Sequence, residues 1–200
     1  MKCRIPNNKL PISNNTMHRN IRRVMENHKM PEEVIGAVLR LYDFMVEKDY
    51  YGGCHALSSA LYVALSELGF SPELCVGECQ VPGMLPFDHS WITLNGDIID
   101  VAVYFPLTQK INSMSGPVVL GVDAITSRPP RTMYGIDSGL PLADDTTFVI
   151  NSDFVDYMDN FPLIRGGLWT LVKVLLPATN AVTISELRTR YNGVIRQYVK

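Results

Sequence analysis

The sequence predicts an α+β fold in which a helix carrying a candidate nucleophile packs on an antiparallel sheet, with further helices before and after this unit. Three observations predict it. Gly52-Gly53 stops one helical pattern, and Cys54 opens another, CHALSSALYVALSEL, that runs to Gly69. The runs FDHSWITL and DIIDVA are joined by Asn95-Gly96, the strongest short-range signal for a two-stranded hairpin. Apolar residues then recur with a helical period on both sides of this unit, up to Lys48 and again in the last quarter of the chain.

Residues 1 to 15 are rich in Asn, Pro and Ser and predict an irregular arm. Thr16 is the expected cap of a first helix reaching about Lys29, with Met17, Ile21, Val24 and Met25 as its apolar stripe and Arg19, Arg22 and Arg23 on a solvated face. Pro31 suits the first position of a second helix, whose Val34, Ile35, Val38, Leu39, Leu41, Tyr42 and Phe44 repeat with a helical period to about Lys48. The third helix opens at Cys54. At about 100° per residue, Leu57, Leu61, Leu65 and Leu68 all fall within about 60° of Cys54, so the thiol belongs to the stripe facing the core. His55, Ser59, Tyr62 and Ser66 gather about 100° away. His55 therefore points along another face and is expected at the surface or behind the site, not as the base.

Between Ser71 and Val81 the run PELCVGECQV predicts a strand, followed by the loop PGMLPFD. Met84, Leu85 and Phe87 are expected in the core, with an apolar lip beside the site as the alternative. In the hairpin, Asn95 and Gly96 as turn residues put Leu94 opposite Asp97, Trp91 opposite Asp100 and His89 opposite Ala102. Directly opposed residues share a face, so His89, Trp91 and Asp100 project from one side, with Asp100 diagonal to His89 and in reach of its ring. Asp97 falls on the other face and Asp88 points oppositely to His89. After Phe105-Pro106 the periodicity fades. PVVLGVDAI at 117–125 suggests another strand, TSRPPRTMYGIDSGLPLADD reads as a long Pro/Gly-rich connection, and TTFVI at 146–150 predicts a further strand. SDFVDYMDN offers a serine cap before a short helix, and LWTLVKVLL predicts a buried helix. Thr183 with Glu186 forms a capping box opening a last helix to about Tyr198.

Two hundred residues make one domain of ordinary size, 1–200, and no shift in composition divides it. Lys plus Arg is 18 and Asp plus Glu is 20, with both signs mixed, so neither a nucleic-acid surface nor an acidic tail is indicated. MKCRIPNNKLPISNN is too polar for a signal peptide, and no run approaches the roughly 18 to 20 apolar residues of a membrane span. A soluble, cytoplasmic protein without a membrane partner is expected. Cys3, Cys54, Cys75 and Cys79 form no CxxC pair, so free thiols are expected. Cys75 and Cys79 lie about 13 Å apart along one strand, too far for a shared zinc or a disulfide. No glycine-rich phosphate loop is present. The expectation is no cofactor and no metal.

A thiol near its reference pKa of about 8.5 is only slightly ionised at neutral pH, so a nucleophile needs a dipole, a cation or a base beside it. The start of the third helix supplies the dipole for Cys54. His89 is the candidate base, and Asp100 the acid that fixes its tautomer and favours its charged form. Such a pair attacks an acyl carbon and forms a thioester. The Cys54 amide would meet the oxyanion, Gly53 is a candidate second donor, and Trp91, on the face of His89, is a candidate substrate contact.

GGCHALSSALYVALSELGFSPELCVGE followed by DHSWITLNGDIIDVA resembles the core of the transglutaminase-like group within the papain-like fold, over residues 50 to 104. That group shows a cysteine opening a helix, an L-x-x-x-L-x-x-L-G run, a strand ending in V-x-G, an H-x-W strand and an acid on the next strand. The resemblance implies Cys54 as nucleophile, His89 as base and Asp100 as acid, on a papain-like core. Arylamine N-acetyltransferases are similar, although this chain lacks the residue between their glycines and cysteine, and lasso-peptide leader peptidases are similar through HSW. The expected function is a cysteine peptidase, amidase or transglutaminase-like acyltransferase acting on an amide in a peptide or protein. Two other readings stay open: a catalytically silent scaffold binding a protein through the 105–145 segment, and a CoA-dependent N-acetyltransferase.

Overall fold

The computed structural model describes residues 12–107 and 115–200. Most of the expected arm, with Cys3, lies outside the described residues. Among the described residues the architecture is α+β, with seven α-helices and a curled sheet of largely antiparallel strands.

Helix α1, Asn14–Asn27, starts earlier than expected: Ser13, in extended backbone, accepts the Thr16 amide on its side chain and is the cap in place of Thr16. Its buried residues are Met17, Ile21, Val24 and Met25, the stripe expected from the periodicity. On its wet face Arg22 pairs with Glu32 at 2.6 Å and Arg23 donates to Ser127. Pro31 stands just before α2, Glu32–Glu47, as its cap residue, one position earlier than expected. Helix α3, Cys54–Glu67, is buried almost all round and packs on α2, on the sheet and on α6, Leu168–Leu175. Leu57, Leu61 and Leu65 are each at most 2 % exposed, and each such burial contributes about 1.5–3 kcal/mol. This is the centre of the core.

The sheet runs β3 (Asp97–Ile99), β2 (Phe87–Leu94), β1 (Glu73–Gln80), β6 (Met133–Ile136), with a further strand on β1. Strands β1, Glu73–Gln80, and β2, Phe87–Leu94, pair antiparallel, and Gly77 lies opposite His89. Strand β3, Asp97–Ile99, pairs Leu94 with Asp97 in the expected register, and Asn95 and Gly96 both take positive φ, as a type I′ turn requires. The pairing stops at Ile99. Asp100 exchanges both backbone hydrogen bonds with Val118 instead, and Ala102–Tyr104 coils into a short 3₁₀ turn. The expected opposition of His89 to Ala102 is therefore corrected.

The segment at 117–125 forms two short strands, β4, Val118–Val119, and β5, Val122–Asp123, around Leu120-Gly121, both at positive φ. The long connection contains β6, Met133–Ile136, which pairs with the Glu78–Gln80 end of β1. The expected strand at 146–150 is helical: α4 spans Asp144–Asn151, where two aspartates occupy the first turn and favour the helix dipole, and Thr146 and Val149 are buried three residues apart. Helix α5, Phe154–Asp159, is capped by Asp153, not Ser152. The capping box of Thr183 and Glu186 opens α7, Ile184–Arg190, which ends well short of Tyr198. Gly193 at φ 79 turns the chain, and β7, Gln197–Val199, runs parallel to β1. No helix of the described residues is long and apolar enough to cross a membrane.

Candidate functional site

The cleft forms around the start of α3. Gly53, the residue before the helix, has no side chain with which to cap it, and the first intrahelical bond runs from Leu57 N–H to the Gly53 carbonyl at 2.9 Å. The N–H groups of Cys54, His55 and Ala56 thus lack intrahelical acceptors. Both glycines are needed for space. A Cβ at Gly53 would stand 2.0 Å from the Tyr50 ring, and one at Gly52, which also has φ +69, would stand 2.3 Å from Leu107. Gly52 N–H donates to the Phe105 carbonyl at 2.8 Å, tying the glycine pair to the chain beyond β3.

Cys54 is 9 % exposed and lines a cleft of about 470 Å³ together with His89. The His89 Nε2 lies 2.8 Å from Asp100 Oδ2, with both side chains buried. With Nε2 engaged, the other ring nitrogen is left for the thiol. Burial by itself lowers the basicity of His89, but the Asp100 charge, the neighbouring Cys54 and their hydrogen bonds outweigh it and hold the imidazole well above its ordinary range.

Asp100 is fixed from several sides. Its Oδ1 accepts the Val103 N–H at 3.0 Å, its Oδ2 also accepts the Tyr134 hydroxyl at 2.8 Å, and its backbone is bonded to Val118. Burial, followed by the Asp100 charge, pushes Tyr134 well above the usual phenol range, so it stays protonated and donates. Tyr134 was not legible as a site residue: it lies on β6, inside the stretch read as a connection. The short run TMYGI after Pro129-Pro130 was the available signal.

Trp91 does share a face with Asp100, but it is 2 % exposed and packs edge-on against Tyr134 at 5.1 Å, with Cys75 and Cys79. It stands behind the acid and does not line the cleft. Burial raises Cys75 to about 11 and holds Cys79 well above the ordinary thiol range, so neither competes as a thiolate. Asp88 lines the cleft and accepts the Ala143 N–H at 2.6 Å, while Asp97 sits exposed at the turn. Phe87 is part of the cleft wall and Leu85 is 84 % exposed, so of the two readings of this loop the apolar lip is the one these residues follow.

His55 also borders the cleft, yet its partners differ. Its Nδ1 pairs with Ser90 Oγ at 2.6 Å and its Nε2 with Thr146 Oγ1 at 3.3 Å. Burial, with smaller contributions from His89 and Arg196, lowers it to about 4. It stays neutral and ties α3 to β2 and α4. Glu78 is buried at the cleft edge and accepts both the amide and the hydroxyl of Ser138, pinning the segment that carries Leu140 and Pro141 over the opening. No group of three or more His, Cys, Asp or Glu among the described residues is placed to hold a metal ion. Chemically, the arrangement offers a thiol, a ring that can take its proton, a carboxylate that stabilises the resulting cation, and free amides at a helix start.

Compared with known proteins, the chain matches no family model, no curated protein and no solved structure.

Proposed function

We propose that the chain is a cysteine-dependent acyl-transfer enzyme of papain-like, transglutaminase-like architecture, acting on an amide bond in a peptide or protein. The observation that carries this reading is the buried His89–Asp100 hydrogen bond of 2.8 Å at the cleft where Cys54 opens α3. His89 takes the Cys54 proton, and the thiolate attacks the carbonyl carbon. The oxyanion that forms is met by the Cys54 N–H and the positive end of the helix. The imidazolium then gives its proton to the leaving amine, the C–N bond breaks, and a thioester remains. Water deprotonated by His89 releases a carboxylic acid, and a second amine in its place gives a new amide. Asp100, held by Tyr134 and Val103, keeps the ring oriented and its cation stabilised throughout.

Alkylation by iodoacetamide across pH, mapped by mass spectrometry, tests the assignment. Cys54 is expected to react faster than Cys3, Cys75 and Cys79 at each pH, with the fast phase absent in Cys54→Ala. Reaction of Cys54 no faster than Cys3 would remove it from the role.

A further inference from the structure

The cleft wall is apolar where it opens and acidic where it is charged. Phe87, Val103, Leu107, Leu140 and Pro141 form one trough, drawn from three separate segments. Leu107 and Leu140 are 62 % and 61 % exposed, so large aliphatic side chains stand in water beside the thiol. Leu85, at 84 % exposure, adjoins the lining residue Pro86 and extends the same rim. Exposed apolar surface concentrated at a cleft marks a place that a ligand covers.

Three carboxylates complete the lining: Glu78, Asp88 and Asp145. Glu78 is buried and committed to Ser138. Asp88 commits one oxygen to Ala143, and the exposed Asp145 commits one to its neighbour's amide, Thr146, so each keeps an oxygen for an incoming group. Among the described lining residues none is Lys or Arg. The carboxylates on this side of the cleft therefore favour an incoming cation over a phosphate, while the positive charge of His89 and the start of α3 lies at the thiol.

We propose that this cleft selects a polypeptide segment with an aliphatic side chain beside a Lys or Arg, the aliphatic group filling the Leu107–Leu140 trough and the cation meeting Asp145 and Asp88, and that it turns away phosphate-bearing acyl carriers. The proposal rests on Cys54 as the nucleophile. It names the occupant: an apolar-basic peptide, not a coenzyme thioester.

The test uses three peptidyl chloromethyl ketones, acetyl-Leu-Lys, acetyl-Leu-Ser and acetyl-Leu-Glu, in which the Cys54 thiolate displaces chloride and the adduct is counted by mass spectrometry. The Lys probe is expected to label Cys54 about tenfold faster than the Glu probe at low salt, with the Ser probe between them. The ratio should shrink as salt is added and fall to within about twofold in Asp145→Asn, whose side chain is exposed and keeps an oxygen for the Thr146 amide. Replacing Leu140 with Ser should slow all three probes together. Equal rates for the Lys and Glu probes, or protection of Cys54 by free coenzyme A, would overturn the proposal while leaving the nucleophile in place. Absence of Cys54 labelling by all three probes, with iodoacetamide equally inert, would instead sink the nucleophile assignment on which it stands.

Discussion

Two histidines line the cleft with Cys54, and their surroundings drive them in opposite directions. His89 faces a buried carboxylate and is held well above the ordinary imidazole range. His55 faces two hydroxyls, Ser90 and Thr146, and is lowered to about 4. His89 is buried and His55 partly so. The difference is the partner: a carboxylate compensates an imidazolium, and a hydroxyl does not. Adjacency in sequence to the thiol thus matters less than the group on the far side of the ring.

The sharpest way to break this contrast is to remove the carboxylate. Asp100→Asn leaves a ring of similar shape without its charge partner and is expected to lower turnover of a cleavable substrate by about 10³- to 10⁴-fold, with little change in substrate affinity. A loss below about tenfold would remove Asp100 from the mechanism.

The next effect is on folding. The lowered value of His55 means that the unfolded chain binds this proton more readily, so its contribution to stability is complete above about pH 6.5 and is lost as the pH falls toward 4. The full difference amounts to at most about 3 kcal/mol. His89 has the opposite sign: its raised value favours folding below about pH 6.5, and that share is lost as the pH climbs through its folded value. Denaturant titrations of His55→Gln against the parent, from pH 7 to pH 4, should show the variant losing less stability on the acid side. A parallel decline in both would refute the assignment.

Alkylation separates the same two rings by reactivity. At pH 6.5, His89→Ala is expected to slow labelling of Cys54 about ten- to thirtyfold, because the thiol loses the ring that takes its proton. His55→Gln should change that rate by less than about threefold, since a neutral ring lends no charge. The smallest effect belongs to Tyr134→Phe, which deletes one hydrogen bond to Asp100 and should cost about 1–2 kcal/mol of stability. Its reactivity profile should shift in the same direction as that of His89→Ala, by less.

Much of this corner was legible because its information is local. Asn95-Gly96 sets the hairpin register, that register places His89 and Asp100 on one face, and the wheel drawn from Cys54 turns His55 away. The expected outward face of His55 was nevertheless only half the story, since the ring points into a polar seam with β2 and α4 that no local pattern marks. Tyr134 and Glu78 were hidden for the same reason, each meeting its partner across more than thirty residues. TTFVI shows a different difficulty. A five-residue apolar run fits strand and helix equally, and Asp144-Asp145 ahead of it decided for the helix. Likewise the last helical pattern carried on to Tyr198 on paper, while Asn192-Gly193 ended it and released QYV to the sheet.

That released strand has a consequence for the order of events in folding. Strand β7 lies so close across Gly77 that a Cβ there would come within 2.3 Å of the Val199 carbonyl oxygen, and Gly77 is the cross-strand partner of His89. Its pairing with β1, Cys75 to Gln197, closes a loop of more than a hundred residues. Loop-closure entropy of that kind is met late, after helices and hairpins have formed. The helix bearing Cys54 and the hairpin bearing His89 can be assembled from neighbours, but the strand behind them gains its last flank only near the end of the folding reaction. Closure of the sheet behind His89 is thereby expected to follow the assembly of the helix and the hairpin.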